Sequence, residues 1–191
     1  MPTAAEAEPD SVELRKSTLV GITSEVQNPD LPDPTQFHTW KDLVHTTVTS
    51  LHGAAASSDC QTTDAATYIS AEKLLLAQAQ QDSFPGEIKA LKASRPIPAD
   101  SRLVTLSPEY DEATRLLHVG GRLRPAEDPE ADAIHPIILD PVHQIIKLLI
   151  QEFDHKLLHP GPERVLAEMQ RQYWVLRGQE AIRRHQHSCR E

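Results

Sequence analysis

The sequence has 191 residues, of which 39% are hydrophobic but only 4% aromatic and 15 are proline, so we expect a modest core confined to part of the chain. Its formal net charge of −9 argues against a protein that coats nucleic acid through bulk electrostatics. Two cysteines are too few for a disulfide framework, and no apolar run approaches the roughly 20 residues of a membrane helix, so we expect a nuclear or cytoplasmic protein without membrane association.

The N-terminal half predicts an acidic tail followed by helices. Residues 1–34 are rich in proline and acidic residues without an apolar period, which is typical of a disordered tail. Two amphipathic helices follow, over residues 35–53 and 64–84, the first with Asp33 or Thr35 as its cap. Their expected inward positions are Phe37, Trp40, Val44, Val48 and Leu51 in the first helix and Tyr68, Ala71, Leu75 and Ala79 in the second. We group residues 35–100 as a helical linker region.

The apolar period changes after residue 100. Leu103 and Thr105, and then Leu116 and His118, stand in short alternating runs around the turn sequence "SPEYDEA", which predicts a small hairpin. "HPIILD" predicts one more short strand, after an acidic loop. A small β element is therefore expected between helical segments.

The C-terminal fifty residues predict three helices. The first covers residues 141–158 with Asp140 as its cap, the second covers residues 161–175 with Pro162 in its first turn, and the third begins near Arg177. The expected inward positions are Val142, Ile145, Ile146, Leu149 and Phe153, then Val165, Leu166, Met169 and Tyr173, with Trp174 as a further core aromatic. The predicted fold class is mainly α with a small β element (α+β), in which residues 101–191 form one unit with a three-helix core at 141–191.

His155, His159 and Cys189 have the spacing of zinc ligands. Two histidines four apart on a helix place their Cβ atoms about 5–6 Å apart, close enough to share an ion. Zinc prefers four ligands in a tetrahedron, and histidine and cysteine pairs are a common ligand set. On spacing alone, the alternative is two polar residues at a helix C-terminus, where imidazolium interacts favourably with the helix dipole.

Several sequence pieces follow one another in a recognisable order after Arg115: "VGGRL", "HPIIL", "LLHPGPERVLAE", "YWVLRG" and finally the cysteine. Together they resemble the HHCC zinc-binding domain at the N-terminus of retroelement integrases, specifically in polyproteins of Pao/BEL-type LTR retrotransposons. The upstream stretch "AEKLLLAQAQQDSFPGEIKALK" resembles the linker that precedes the integrase in those polyproteins. The resemblance covers residues 35–191.

The resemblance implies that His155, His159 and Cys189 take the first three zinc-ligand positions. The family closes its site with a second cysteine three residues after the first, and this sequence ends at Glu191 before that position. His187 or water is the expected substitute. Related members often carry histidine at the position of Asp154, whereas this sequence carries it one residue later. The implied cofactor is zinc.

The resemblance implies a role in integrase assembly and in the engagement of DNA ends. Catalysis in that family belongs to a separate RNase-H-like core, and the sequence shows no catalytic constellation, so we expect no enzymatic activity and no small-molecule substrate. Two other readings stay open at this point: a metal-independent protein-interaction module, and a non-functional remnant of a retroelement. Self-association is a further possibility that the family role allows.

Any contact with DNA is expected in the C-terminal quarter. The residues from Val142 onward carry eight basic and six acidic side chains, a net charge of +2, against −11 for the rest. The candidate phosphate contacts are Arg177, Arg183, Arg184 and Arg190. The plain alternative is a solvated helix face.

Overall fold

The computed structural model describes residues 31–54, 65–120 and 135–189. This part of the chain contains six α-helices and one four-stranded sheet. The helices are α1 (Trp40–Ala54), α2 (Ala65–Ser83), α3 (Pro85–Lys92), α4 (Gln144–Lys156), α5 (Pro162–Met169) and α6 (Gly178–Ser188). The strands are β1 (Glu109–Asp111), β2 (Leu116–His118), β3 (Ile137–Leu139) and β4 (Tyr173–Val175). The prediction of a helical chain with a small β element is confirmed at this level, and most of the predicted tail lies outside the described residues.

The sheet has the strand order β1-β2-β3-β4. Strands β1, β2 and β3 pair antiparallel, whereas β4 lies parallel to β3, with Ile137 opposite Tyr173. Parallel neighbours require a crossover connection, and α4 and α5 supply it here. The helix end that carries the two predicted histidine ligands is therefore part of this crossover.

Two apolar clusters lie on opposite faces of the sheet, because successive residues of a strand point to opposite sides. Leu116 and Leu139 belong to the larger cluster, and their neighbours Leu117 and Ile138 belong to the smaller one. The larger cluster joins the buried faces of α1, α2, α4, α5 and α6. The smaller cluster also contains Phe84, Ile88 and Leu103.

The three C-terminal helices are present and contact one another, but the predicted three-helix zinc-binding bundle is not confirmed as a unit of its own. Strand β4 separates α5 from α6 and joins the sheet, and the larger cluster extends from these helices to α1 and α2. The prediction that the second of these helices continues through Tyr173 and Trp174 is wrong, because these residues lie in β4. Tyr173 is buried as expected, but Trp174 is 38% exposed, because alternation in β4 turns it to the opposite face of the sheet.

The predicted hairpin is present with a shifted first strand. Residues Val104–Leu106 form a 3-10 turn instead of a strand, and β1 falls inside the segment that we expected to turn. The actual turn follows Asp111, whose side chain accepts hydrogen bonds from the N–H of Ala113 (2.9 Å) and the hydroxyl of Thr114 (2.6 Å). An aspartate that caps its own turn in this way explains why the chain reverses there.

Two helix starts also differ from the prediction. Asp140 does not cap α4; the imidazole of His143 does, because its Nδ1 accepts the N–H of Ile145 at 3.2 Å. Val142 consequently lies before the helix and is 68% exposed. At α1 the cap is Thr39, whose hydroxyl accepts the N–H of Asp42 at 3.2 Å, whereas Asp33 caps the short 3-10 turn before it.

A buried glutamine ties α2 to the sheet. The side-chain N–H₂ of Gln80 donates to the carbonyl oxygens of Leu117 (2.9 Å) and Ile138 (2.7 Å), and its oxygen accepts the N–H of Leu117 (2.7 Å). Gln80 is 1% exposed, so these bonds form away from water. The α2 helix is thereby bound to both β2 and β3.

Over the described ranges, none of the helices has both the length and the apolar content needed to cross a membrane.

Candidate metal centre

The C-terminal ends of α4 and α6 meet at one place on the surface. His155 lies in the last turn of α4, His159 follows the end of that helix, and Cys189 is the C-cap of α6. One ligand atom from each of the three residues lies within 4.8 Å of those of the other two, and all three residues are exposed. This His-His-Cys group could hold a metal ion.

The two histidines converge by a different route from the one that their spacing suggested. Helix α4 ends at Lys156, and the N–H groups of Leu158 and His159 bond back to the carbonyl oxygens of His155 (3.0 Å) and Asp154 (2.9 Å). This is the Schellman pattern of helix termination. Leu158 and His159 both have left-handed backbone angles, φ 63° and 54°, and the two imidazole rings lie with centroids 4.9 Å apart.

The chemistry of the three donors fits zinc. Two imidazoles and a thiolate are ligands that zinc accepts, at about 2.0–2.3 Å, which corresponds to ligand atoms about 3.4–3.6 Å apart in a tetrahedron. The observed limit of 4.8 Å is about one ångström wider. Rotations of exposed side chains can close that difference, so the donor set fits the ion in number, type and approximate spacing.

Beneath the group lies a buried carboxylate, that of Asp154, with 0% exposure. Its Oδ2 accepts a hydrogen bond from Nδ1 of His159 at 2.7 Å, and its Oδ1 accepts one from Nε2 of Gln186 at 2.6 Å. Gln186 also donates to the carbonyl oxygen of Pro160 at 2.6 Å. Because an ionised carboxylate can only accept, the hydrogen bond places a proton on Nδ1 of His159 and leaves Nε2 available.

His185 brings a third imidazole close to this cluster. It lies one helical turn before Cys189, and its buried Nε2 has no hydrogen-bond partner and stands 3.9 Å from Oδ2 of Asp154. Burial lowers the pKa of His185, which outweighs the opposing charge of Asp154; the neighbouring His155 and His159 lower it further. A neutral imidazole is the expected state.

Sequence reasoning named three residues of this cluster and missed three. His155, His159 and Cys189 are brought together, whereas His187, the suggested substitute ligand, does not belong to the convergent group found in the described part of the chain. Asp154, His185 and Gln186 were missed as polar neighbours of the group. His185 and Cys189 are four residues apart and therefore lie on one face of α6. This spacing could have predicted that His185 lies near the group.

Three of the four predicted DNA-contacting arginines, Arg177, Arg183 and Arg184, lie on or just before α6. Arg183 and Arg184 are exposed, and Arg184 is held by Glu180 at 2.7 Å. Arg177, which precedes the helix with a left-handed φ of 48°, lines a cleft of about 500 Å³ with Arg184 and two acidic residues, Asp140 and Glu180. Arg190 lies outside the described residues. The lining of this cleft therefore carries both signs of charge.

The chain matches no family model, no curated protein and no solved structure.

Proposed function

We propose that this chain carries the zinc-binding domain of a retroelement-type integrase, together with its upstream linker, in a non-catalytic role. The observation that supports the proposal is the convergence of His155, His159 and Cys189 to within 4.8 Å at the meeting point of two helix ends. The ordered sequence pieces that resemble the Pao/BEL-type domain supply the functional context. The domain would support integrase assembly and engage DNA ends within a longer polyprotein.

Zinc would be held by one imidazole nitrogen from each histidine and by the sulfur of Cys189. A bound Zn²⁺ would cross-link the ends of α4 and α6. Its binding free energy would add to the stability of the folded state, because the unfolded chain has no preformed site. Water or another donor would complete the coordination. The role of the metal in this proposal is structural.

Metal content is the direct test of the proposal. We expect the purified chain to contain about one zinc per molecule by elemental analysis, and the His159→Ala and Cys189→Ser variants to lose most of it. His187→Ala is the matched control, because His187 is an exposed histidine of the same helix that does not belong to the group. Equal zinc content in all four proteins would contradict the proposal.

The DNA-binding part of the proposal concerns the arginines of α6. Phosphate contacts make affinity fall steeply with salt, so an Arg183→Gln variant should bind a short duplex more weakly and with a shallower salt dependence. Arg184→Gln should have a smaller effect, since Glu180 already holds that side chain at 2.7 Å. Binding that is unchanged in both variants would remove these residues from the interface.

A metal-independent interaction module is the second candidate. Its support is a set of large exposed apolar side chains, Val142, Leu158 and Trp174. A chelator separates the two candidates, because folding and partner binding that survive metal removal favour the interaction module. A broad, poorly cooperative melt with and without zinc would instead favour a non-functional remnant.

A further inference from the structure

We infer that Asp154 is a positioning residue for the metal: its carboxylate holds His159 as the Nδ1–H tautomer, so that Nε2 is the ligand atom. This inference rests on the proposed metal site for its purpose, but the hydrogen bond itself is independent of any ion. Ligating histidines generally donate their second ring N–H to a carboxylate or carbonyl, which fixes the ring orientation and makes the ligand nitrogen more basic.

The geometry of the carboxylate is specific to that task. Oδ2 accepts from Nδ1 of His159 at 2.7 Å, while Oδ1 is occupied by the amide of Gln186 at 2.6 Å. Gln186 is itself anchored on the carbonyl oxygen of Pro160 at 2.6 Å. The two oxygens thus have different partners, and the carboxylate cannot rotate without breaking both bonds.

The burial of Asp154 and the charges around it also support a role beside a metal ion. Asp154 has 0% exposure, and among the described residues the basic side chains beside its carboxylate are the imidazoles of His159 (2.7 Å) and His185 (3.9 Å), with no lysine or arginine. A buried carboxylate requires a compensating positive charge. A divalent cation on Nε2 of His159 would provide that charge through the hydrogen-bonded ring.

The backbone places His159 where this contact can form. The left-handed residues Leu158 and His159 turn the chain back under the end of α4, and the N–H of His159 bonds to the carbonyl oxygen of Asp154 at 2.9 Å. Asp154 therefore binds His159 through both its backbone and its side chain. A carboxylate at this position determines where the ring lies and which of its nitrogens faces the group.

Zinc affinity of the Asp154→Asn variant tests the inference. An asparagine offers one acceptor oxygen where the carboxylate offers two, so it cannot serve His159 and Gln186 together. We expect zinc to bind 10–100-fold more weakly, measured by competition with a chromophoric chelator. Asp140→Asn is the matched control, because Asp140 is another buried carboxylate, paired with Arg102 at 2.8 Å, and should keep wild-type affinity.

A second measurement on the wild-type chain does not require zinc and covers the case in which Asp154→Asn fails to fold. Imidazole ¹⁵N chemical shifts of the metal-free protein should show His159 as the Nδ1–H tautomer. The Nε2–H tautomer, or wild-type zinc affinity in a folded Asp154→Asn variant, would overturn the inference. Absence of zinc binding with the Nδ1–H tautomer present would instead defeat the proposed function and leave the assigned contact standing.

Discussion

At the scale of single residues, Leu158 occupies a position that glycine usually takes. It has a φ of 63° and is 86% exposed, so its side chain gains little from burial while its Cβ crowds the left-handed backbone. Strain of this kind is often found beside functional sites. Here the strained residue immediately precedes His159 and helps to turn it toward the group.

Replacement of Leu158 by glycine should stabilise the metal-free protein by about 0.5–1 kcal/mol, because the strain is relieved although the unfolded chain gains entropy. Urea unfolding in the presence of chelator measures this. Ala167→Gly is the control, since Ala167 is exposed inside α5 without a left-handed backbone, and glycine should cost about 1 kcal/mol there. A destabilised Leu158→Gly variant would show that the leucine side chain contributes more than its backbone costs.

Tyr173 makes stability depend on alkaline pH. Burial, assisted by the charge of Glu72, raises the pKa of its phenol to about 12 from a usual value of about 10. The folded state therefore holds the proton more tightly than the unfolded state. Its contribution to stability is complete below pH 10 and is lost as the pH rises from 10 to 12.

As the pH rises from 10 to 12, the free energy of unfolding should fall less in the Tyr173→Phe variant than in the wild type. The difference between the two losses should be roughly 2 kcal/mol at most. Urea midpoints measured at intervals from neutral pH upward would show it. Between neutrality and pH 9 the difference between the two proteins should stay constant, which serves as the internal control. Parallel curves above pH 10 would contradict the assignment.

At the scale of elements, Gln80 connects a helix to two strands. Its side chain serves three backbone groups of β2 and β3, which meet through one residue pair, His118 and Ile137. The glutamine thus supplies bonds that strand pairing does not provide. The same helix is joined to the start of α4, where Nε2 of His143 donates to Asp82 at 3.2 Å.

The Gln80→Leu substitution should destabilise the chain by about 2–4 kcal/mol, because it leaves buried backbone groups without their partners. Gln81→Leu is the matched control, since Gln81 is the exposed neighbour on the same helix. Chemical denaturation of both variants measures the difference. A loss of similar size in the two would show that the bonds of Gln80 contribute little.

The elements were predicted unevenly. The apolar periods of α1, α2 and α4, the Pro162 start of α5 and the strand at Ile137–Leu139 were correct because each is a local pattern that persists over several residues. Strand β4 was missed. Three residues are too few to separate a strand from a helix by period, and Tyr173 fits both patterns.

At the scale of the whole molecule, a metal at the junction of α4 and α6 would close a loop through α5 and β4. A ligand that binds only the folded state stabilises it by about 2.7 kcal/mol at a free concentration 100 times its Kd. For a chain of this length we expect the melting temperature to rise by about 5–10 °C when zinc replaces chelator.

Differential scanning fluorimetry of the full chain measures that shift. The double variant His159→Ala with Cys189→Ser should show the same melting temperature under both conditions. Equal melting temperatures for the wild type with zinc and with chelator would show that the His-His-Cys group holds no metal that stabilises the fold.

The sequence by itself determined which segments form amphipathic helices and that the net negative charge lies before Val142. It also indicated His155, His159 and Cys189 as candidate ligands of one ion. Only the tertiary structure decided how those donors meet: through a left-handed turn after α4, above a buried Asp154. It also decided that the C-terminal helices share a core with α1 and α2. The reason is physical: a local pattern records which face of an element is apolar, whereas the element that covers that face, and the partner of a buried charge, come from contacts between distant parts of the chain.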